Sequence, residues 1–220
     1  KSNNYLLALY LQGTQVGMAY VDVSTGQFEL SSVSVADGAQ PLLDELVRLT
    51  PTEVLVNEAM GRFFKSHDVL QKVLAYPVQV EQEDNFEQLQ LMRQFKVESL
   101  SELGLDDRSE ACAAAGALLE YLAETQKNTL DQIQRPKIHR QNEFMLLDAT
   151  TRRNLELTET LRGKNRKGSL LWILDRTHTA MGSRMLRQWL AQPLQNRLAI
   201  ELRLDAVEEI SRDLVSKDQV

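Results

Sequence analysis

Hydrophobic residues change their period part-way along this chain, and that change limits the folds open to it. Before residue 84 segments that alternate or run in short blocks, as in strands, are interspersed with helical ones; beyond it hydrophobic residues recur at three- and four-residue spacing, as in helices. Tyr5–Leu11, Val16–Val23 and Gln27–Val33 are rich in β-branched and aromatic residues, and Gln12-Gly13-Thr14 and Ser24-Thr25-Gly26 separate them. An antiparallel meander is predicted. Leu42, Leu43, Leu46, Val47 and Leu49 crowd one side of a helix expected over Gln40–Leu49 and closed by Pro51. Glu53-Val54-Leu55-Val56 has the length of a buried central strand. A further helix is expected from about Arg62 to Leu74, then an alternating strand over Tyr76–Val80, after which the strands stop.

From Asn85 onward the chain reads as helical, most clearly over Ser109–Thr125, where Ala115, Leu118, Leu119 and Leu122 form one apolar stripe suited to packing on the sheet. Gln126–Gln141 is polar, partly basic and interrupted by Pro136. The domain division is therefore placed there: residues 1–128, a linker over 129–147, and a helical segment over 148–220. Asp148 can cap a helix running to about Thr160, and Arg162-Gly163-Lys164-Asn165-Arg166-Lys167-Gly168 ends it. Thr179 can cap another, with Met185, Leu186, Trp189 and Leu190 on one face and Pro193 at its end. From Asn196, the stripe Ile200, Leu204, Val207, Ile210 and Leu214 meets no Gly or Pro before Val220, so this helix reads as cut.

Composition narrows the function. With 43% hydrophobic and 25% charged residues the chain is an ordinary globular one, and a net charge of -6 speaks against a surface devoted to gripping nucleic acid. Cys112 is the single cysteine, which excludes an intrachain disulfide and a cysteine zinc cluster and suits a reducing cytoplasm. No apolar run approaches the roughly 18 residues of a membrane span, and no basic, apolar leader opens the chain. It starts at Lys1 without a methionine, the mark of a piece excised from something longer.

Three antiparallel strands followed by strand, helix, strand resemble the ribonuclease H fold: an α/β layer with a mixed sheet, here followed by an all-α segment. That likeness calls for a carboxylate cluster able to hold magnesium. The first strand has no acid, Asp22 sits on the second and Glu58 only at the end of the fourth, so a nuclease is the weaker alternative. Asp22-Val23-Ser24-Thr25-Gly26 has a faint likeness to the phosphate loop of the actin and sugar-kinase group; a plain hairpin turn is the preferred reading. His67, His139 and His178 lack metal-ligand spacing and read as solvated or capping residues. Cys112, among small helix residues, reads as a packed apolar group. Gly163-Lys164 is followed by Asn165, so no Walker A loop forms there. Arg162, Lys164, Arg166 and Lys167 make the densest positive patch, a candidate contact for DNA phosphates that reads more simply as a solvated loop.

Leu147–Leu157, Gly168–Thr177, Thr179–Leu190 and Pro193-Leu194 resemble, in order and spacing, the entry to the core domain of MutS DNA mismatch repair proteins. The residues carrying that likeness are Asp148, Arg152, Asn154, Leu174, Asp175, Thr179, Gly182, Arg184, Leu186, Trp189 and Pro193. In structural terms Thr179 caps, Gly182 allows close helix packing, Trp189 anchors a core, and Arg184 and Arg187 lie on the other side. Tyr5–Ala8 and Gly17–Phe28 resemble the first strands of the family's connector domain. The resemblance implies a connector followed by the start of the core with its lever helices. It implies a cytoplasmic, homodimeric parent that binds mispaired DNA, uses ATP and magnesium, and recruits MutL. This part would hold no catalytic residue, cofactor or metal, and its partners would be the remaining MutS domains and, by resemblance, MutL. The mismatch reader's Phe-X-Glu is not matched by Asn85-Phe86-Glu87. An unrelated helical interaction module is the third reading.

Overall fold

The computed structural model describes residues 4–73, 77–105, 109–125, 130–139, 144–145 and 147–212. They fall into two compact units, Lys1–His139 and Arg140–Val220. The first is built on a six-stranded sheet of order β5-β4-β1-β2-β3-β6, with β1 Tyr5–Gln12, β2 Gln15–Asp22, β3 Gln27–Ser34, β4 Glu53–Val56, β5 Val78–Val80 and β6 Lys137–Ile138. β1, β2 and β3 are antiparallel neighbours, while β4 runs parallel to β1 and β5 parallel to β4. This is the mixed, ribonuclease H-like sheet that the strand pattern implies.

Both faces of the sheet are covered, and side-chain size decides what covers each. Leu7, Leu9, Val16, Met18, Tyr20, Val54 and Val56 point to the face covered by α1 (Gln40–Leu49), α2 (Glu58–Ser66) and α3 (Asp68–Val73). Leu6, Ala8, Ala19, Val21 and Leu55 point to the opposite face. There α5 (Ser109–Thr125) lies across the sheet, with α4 (Leu89–Phe95) beside it. Ala8 pairs with Ala19 beneath a helix face made of Ala111, Cys112, Ala114 and Ala115. Small residues on both partners let the backbones approach closely. At Gly17 a Cβ would stand 2.0 Å from the Glu110 carbonyl carbon, and at Gly116 one would stand 2.1 Å from the Glu87 oxygen. Only glycine fits at either place.

The structure corrects several boundaries. The helix expected over Arg62–Leu74 is two helices, α2 and α3, and it starts earlier because Asn57 Oδ1 accepts from the Met60 amide at 3.1 Å. His67 makes the break: its ring stacks on Phe63 at 4.1 Å between centroids, and Gln71 Nε2 donates to the carbonyls of Phe64 and Lys65. Leu74 and Tyr76 lie outside the described residues, and β5 begins at Val78. Strands do not stop at residue 84, since β6 comes from the stretch read above as linker, 129–147, and runs parallel to β3. Residues 130–139 thus belong with the sheet.

In the second unit, α6 spans Ala149–Asn154, α7 Leu170–Leu174, α8 Ala180–Ala191 and α9 Arg197–Arg212. The helix expected to reach Thr160 ends at Asn154, because Glu156 adopts a left-handed φ of 47°. The carbonyls of Glu156 and Leu157 instead accept from the amides of Leu170 and Leu171, donors at the start of α7 that have no partner within their own helix. Asp148, Ser169 and Thr179 cap α6, α7 and α8 by accepting from the amides of Thr151, Trp172 and Gly182.

Candidate functional site

The carboxylates that a nuclease reading would use are not brought together. Asp22 pairs with Tyr5 at one end of β1, whereas Val56 pairs with Leu9, so Glu58 follows at the far end, ~15 Å away by strand rise. Asp22 Oδ1 accepts from the amide and hydroxyl of Ser24, closing the turn into β3, and Glu58 pairs with Arg62 at 2.8 Å. The segment Asp22–Gly26 is therefore a hairpin turn. Among the described residues no group of His, Cys, Asp or Glu is arranged to hold a metal ion. Cys112 is fully buried in the contact between α5 and the sheet.

The histidines divide. His67 closes the C-terminus of α2, and His178 is exposed. His139 is neither solvated nor a cap: it is buried, with Nδ1 3.4 Å from Glu29 Oε2. It is buried because β6, which it directly follows, joins the sheet edge and the His139 amide donates to the Leu30 carbonyl at 2.7 Å.

In the second unit the residues singled out by resemblance converge on two joints. Asp175 is the hub of the first. Its carboxylate accepts from Thr177 Oγ1 at 2.6 Å, Ser183 Oγ at 2.8 Å and the Thr177 amide at 3.1 Å, and it pairs with Arg166. Those hydrogen bonds, that of Thr177 foremost, hold the Asp175 carboxyl well below the usual carboxylate range. Gly182 stands at the same joint, where a Cβ would lie 3.1 Å from Thr179 Oγ1 and 3.3 Å from Thr177 Cβ. Its small size thus serves the capping loop rather than a facing helix. Arg152 makes the second joint, donating from Nε to the Leu147 carbonyl at 2.9 Å and from Nη1 to the Ala191 carbonyl at 2.5 Å. A guanidinium on the last carbonyls of α8 suits the negative end of a helix. Pro193 and Leu194 complete it: the Met145 amide donates to the Pro193 carbonyl at 2.7 Å, and Phe144 bridges Leu194.

Other positions behave differently from expectation. Trp189 does not anchor a core; it is 38% exposed, with the Arg203 guanidinium 4.4 Å from its ring centroid. Leu174 is exposed, Asn154 ends α6 at the surface, and Leu186 and Arg184 are half-buried. Of the basic loop, Arg162, Lys164 and Lys167 are exposed, while Arg166 is engaged by Asp175. Ser169, fully buried as the cap of α7, was missed, although Ser before an apolar run is a helix-start signal. The stripe on α9 is uncovered, with Ile200, Leu204, Val207 and Ile210 exposed; Leu214 lies outside the described residues.

Comparison with known proteins accounts for both units. A family model described as MutS domain II matches residues 4–134, and one described as MutS domain III matches residues 150–219. The DNA mismatch repair protein MutS of Acetivibrio thermocellus is 42% identical over 229 residues, covering 100% of this chain and 25% of its own length. That of Ruminiclostridium cellulolyticum is 41% identical over 96% of the chain, and that of Clostridioides difficile 36% over 100%. This chain spans about 25% of the length of the relatives it matches. With a sheet unit in the place of domain II and capped helices in the place of domain III, the chain belongs to the MutS family of DNA mismatch repair proteins.

Proposed function

We propose that this chain is the connector and the start of the core in a protein that binds mispaired DNA and ATP with magnesium, works in the cytoplasm as a homodimer, and recruits MutL. Within that protein the sheet unit offers a docking surface and the helical unit passes signals between DNA and ATP sites. The observation that carries the lever reading is α9: a helix whose stripe Ile200, Leu204, Val207 and Ile210 faces solvent. Such spacing suits a helix that packs along another helix. Coupling of distant sites needs a rigid element with more than one arrangement, and paired long helices supply one.

The test uses the full-length protein with Val207→Glu and Ile210→Glu. Mismatch binding without nucleotide should persist while ATP-driven release from the mismatch slows by about tenfold, a coupling change of the size typical between linked sites. Unchanged release would remove the lever reading. Docking of MutL on the sheet unit is tested separately, by site-directed crosslinking from exposed positions on α2 and α3.

A further inference from the structure

Residues 130–139 run along the edge of β3, and at their start the Gln94 side chain of α4 donates from Nε2 to the Leu130 carbonyl at 2.8 Å. The Gln134 amide donates to the Gly26 carbonyl at 2.9 Å, and Gln134 Nε2 to the Thr25 carbonyl at 3.3 Å. Among the described residues, β6 pairs Lys137 with Glu29 and Ile138 with Leu30, and the His139 amide donates to the Leu30 carbonyl at 2.7 Å. Ile133 and Pro136 are buried, and Leu130 and Ile138 are partly so. By contrast, β2 and β3 pair along their whole length, from Gln15 with Ser34 to Asp22 with Gln27.

The end of this segment meets a buried polar chain that crosses the sheet face. Glu29 Oε2 lies 3.4 Å from His139 Nδ1 and accepts from the Tyr20 hydroxyl at 2.7 Å. Arg48 donates to the Tyr20 oxygen at 3.2 Å and to Glu45 at 2.6 Å. The charged groups facing His139 through this chain are thus Glu29 on β3 and, beyond Tyr20, Arg48 and Glu45 on α1. Burial alone would raise Glu29, but its hydrogen bonds to His139 and Tyr20 hold it below the ordinary carboxylate value.

We propose that residues 130–139 form a strap that docks on the edge of β3 and releases from it as one piece, with Glu29 as the anchor that holds its end through His139. Docked, the strap carries the chain to His139 before it leaves the sheet unit. Released, residues 130–139 join the tether to the helical unit and add up to ~35 Å of reach. The use of such a tether rests on the relay proposed above; the strap itself does not. Local opening of a short ladder at a sheet edge, independent of global unfolding, is the physical basis.

Hydrogen exchange on the 220-residue chain decides it. The amides of Gln134 and His139 should open together and be at least about tenfold less protected than those of β1 and β2. Glu29→Gln should lower their protection by about a further tenfold and leave β1 and β2 unchanged. Gly26→Ala provides the released reference, because its Cβ would stand 2.0 Å from the Gln132 oxygen at a φ of +72°. In that variant residues 130–139 should exchange like an unfolded segment while the sheet stays protected. Strap amides as protected as those of β1 and β2 in the unaltered chain would overturn the proposal, as would insensitivity to Glu29→Gln. Exchange is read without any assay of mismatch repair, so a failed relay and a failed strap are told apart.

Discussion

Asn57 joins a strand, a helix and a loop through one side chain. Its Oδ1 accepts from the amides of Leu11 and Met60, both at 3.1 Å, and its Nδ2 donates to the Leu11 carbonyl at 3.2 Å and to Glu83 at 3.3 Å. Asn57→Ala removes a helix cap and strands the polar groups of Leu11, and should cost about 3 kcal/mol in equilibrium urea unfolding. A loss under about 1 kcal/mol would show that water replaces the amide. Gly61, a poor helix residue, lies within this helix. Gly61 is there for packing, since a Cβ would stand 3.2 Å from Val80 Cγ2. Asp175 is the corresponding residue in the helical unit. Its carboxyl is depressed in the folded state, so its contribution to stability is present above the ordinary value of about 4 and is lost as pH falls through the folded value. A carboxyl-carbon NMR titration should place Asp175 well below the ordinary aspartate value of about 4. A midpoint near about 4 would mean that the Thr177 and Ser183 hydrogen bonds do not persist in solution.

At the scale of elements, the contact of α5 with β2 depends on absent side chains. Gly17→Ala forces the α5 backbone off the sheet and should destabilise by about 3 kcal/mol. Gly13→Ala meets nothing within 4 Å and carries only the cost of its left-handed φ of +60°, about 1 kcal/mol. Urea midpoints of the two variants in the same chain make the comparison; equal losses would mean that strain, not crowding, decides at Gly17. The helix itself was legible as an apolar stripe, because Leu118, Leu119 and Leu122 recur at helical spacing and are buried. Its partner was legible only as the sheet in general. The match of Gly17 to Glu110 and of Ala8 and Ala19 to the small face of the helix depends on register, which no local pattern displays.

At the scale of the whole chain, the units differ in how much apolar surface they leave in water. The sheet unit buries Leu6, Leu7, Ala8, Leu9 and the strands beside them on both faces, whereas α7, α8 and α9 expose Trp172, Ile173, Met181, Leu204, Val207 and Ile210. Each large side chain left in water forgoes roughly 1.5 to 3 kcal/mol, and patches of this kind drive association. Analytical ultracentrifugation of this chain should show concentration-dependent self-association that Val207→Glu with Ile210→Glu abolishes while circular dichroism stays unchanged. A monomer at every concentration would remove the claim that the stripe is adhesive.

Local rules were enough to read the meander, the helix of Ser109–Thr125 and the caps at Asp148 and Thr179, because each depends on residues a few positions apart. The family was legible too, since it rests on the order of segments along the chain. Tertiary structure alone decided that residues 137–138 become a sixth strand, that His139 meets Glu29, and that Trp189 lies under Arg203 instead of in a core. The reason is common to all three. A two-residue strand has too little intrinsic preference to declare itself, and a buried side-chain contact or a cation over a ring joins residues on separate elements. Such pairs exist only after the elements around them have packed.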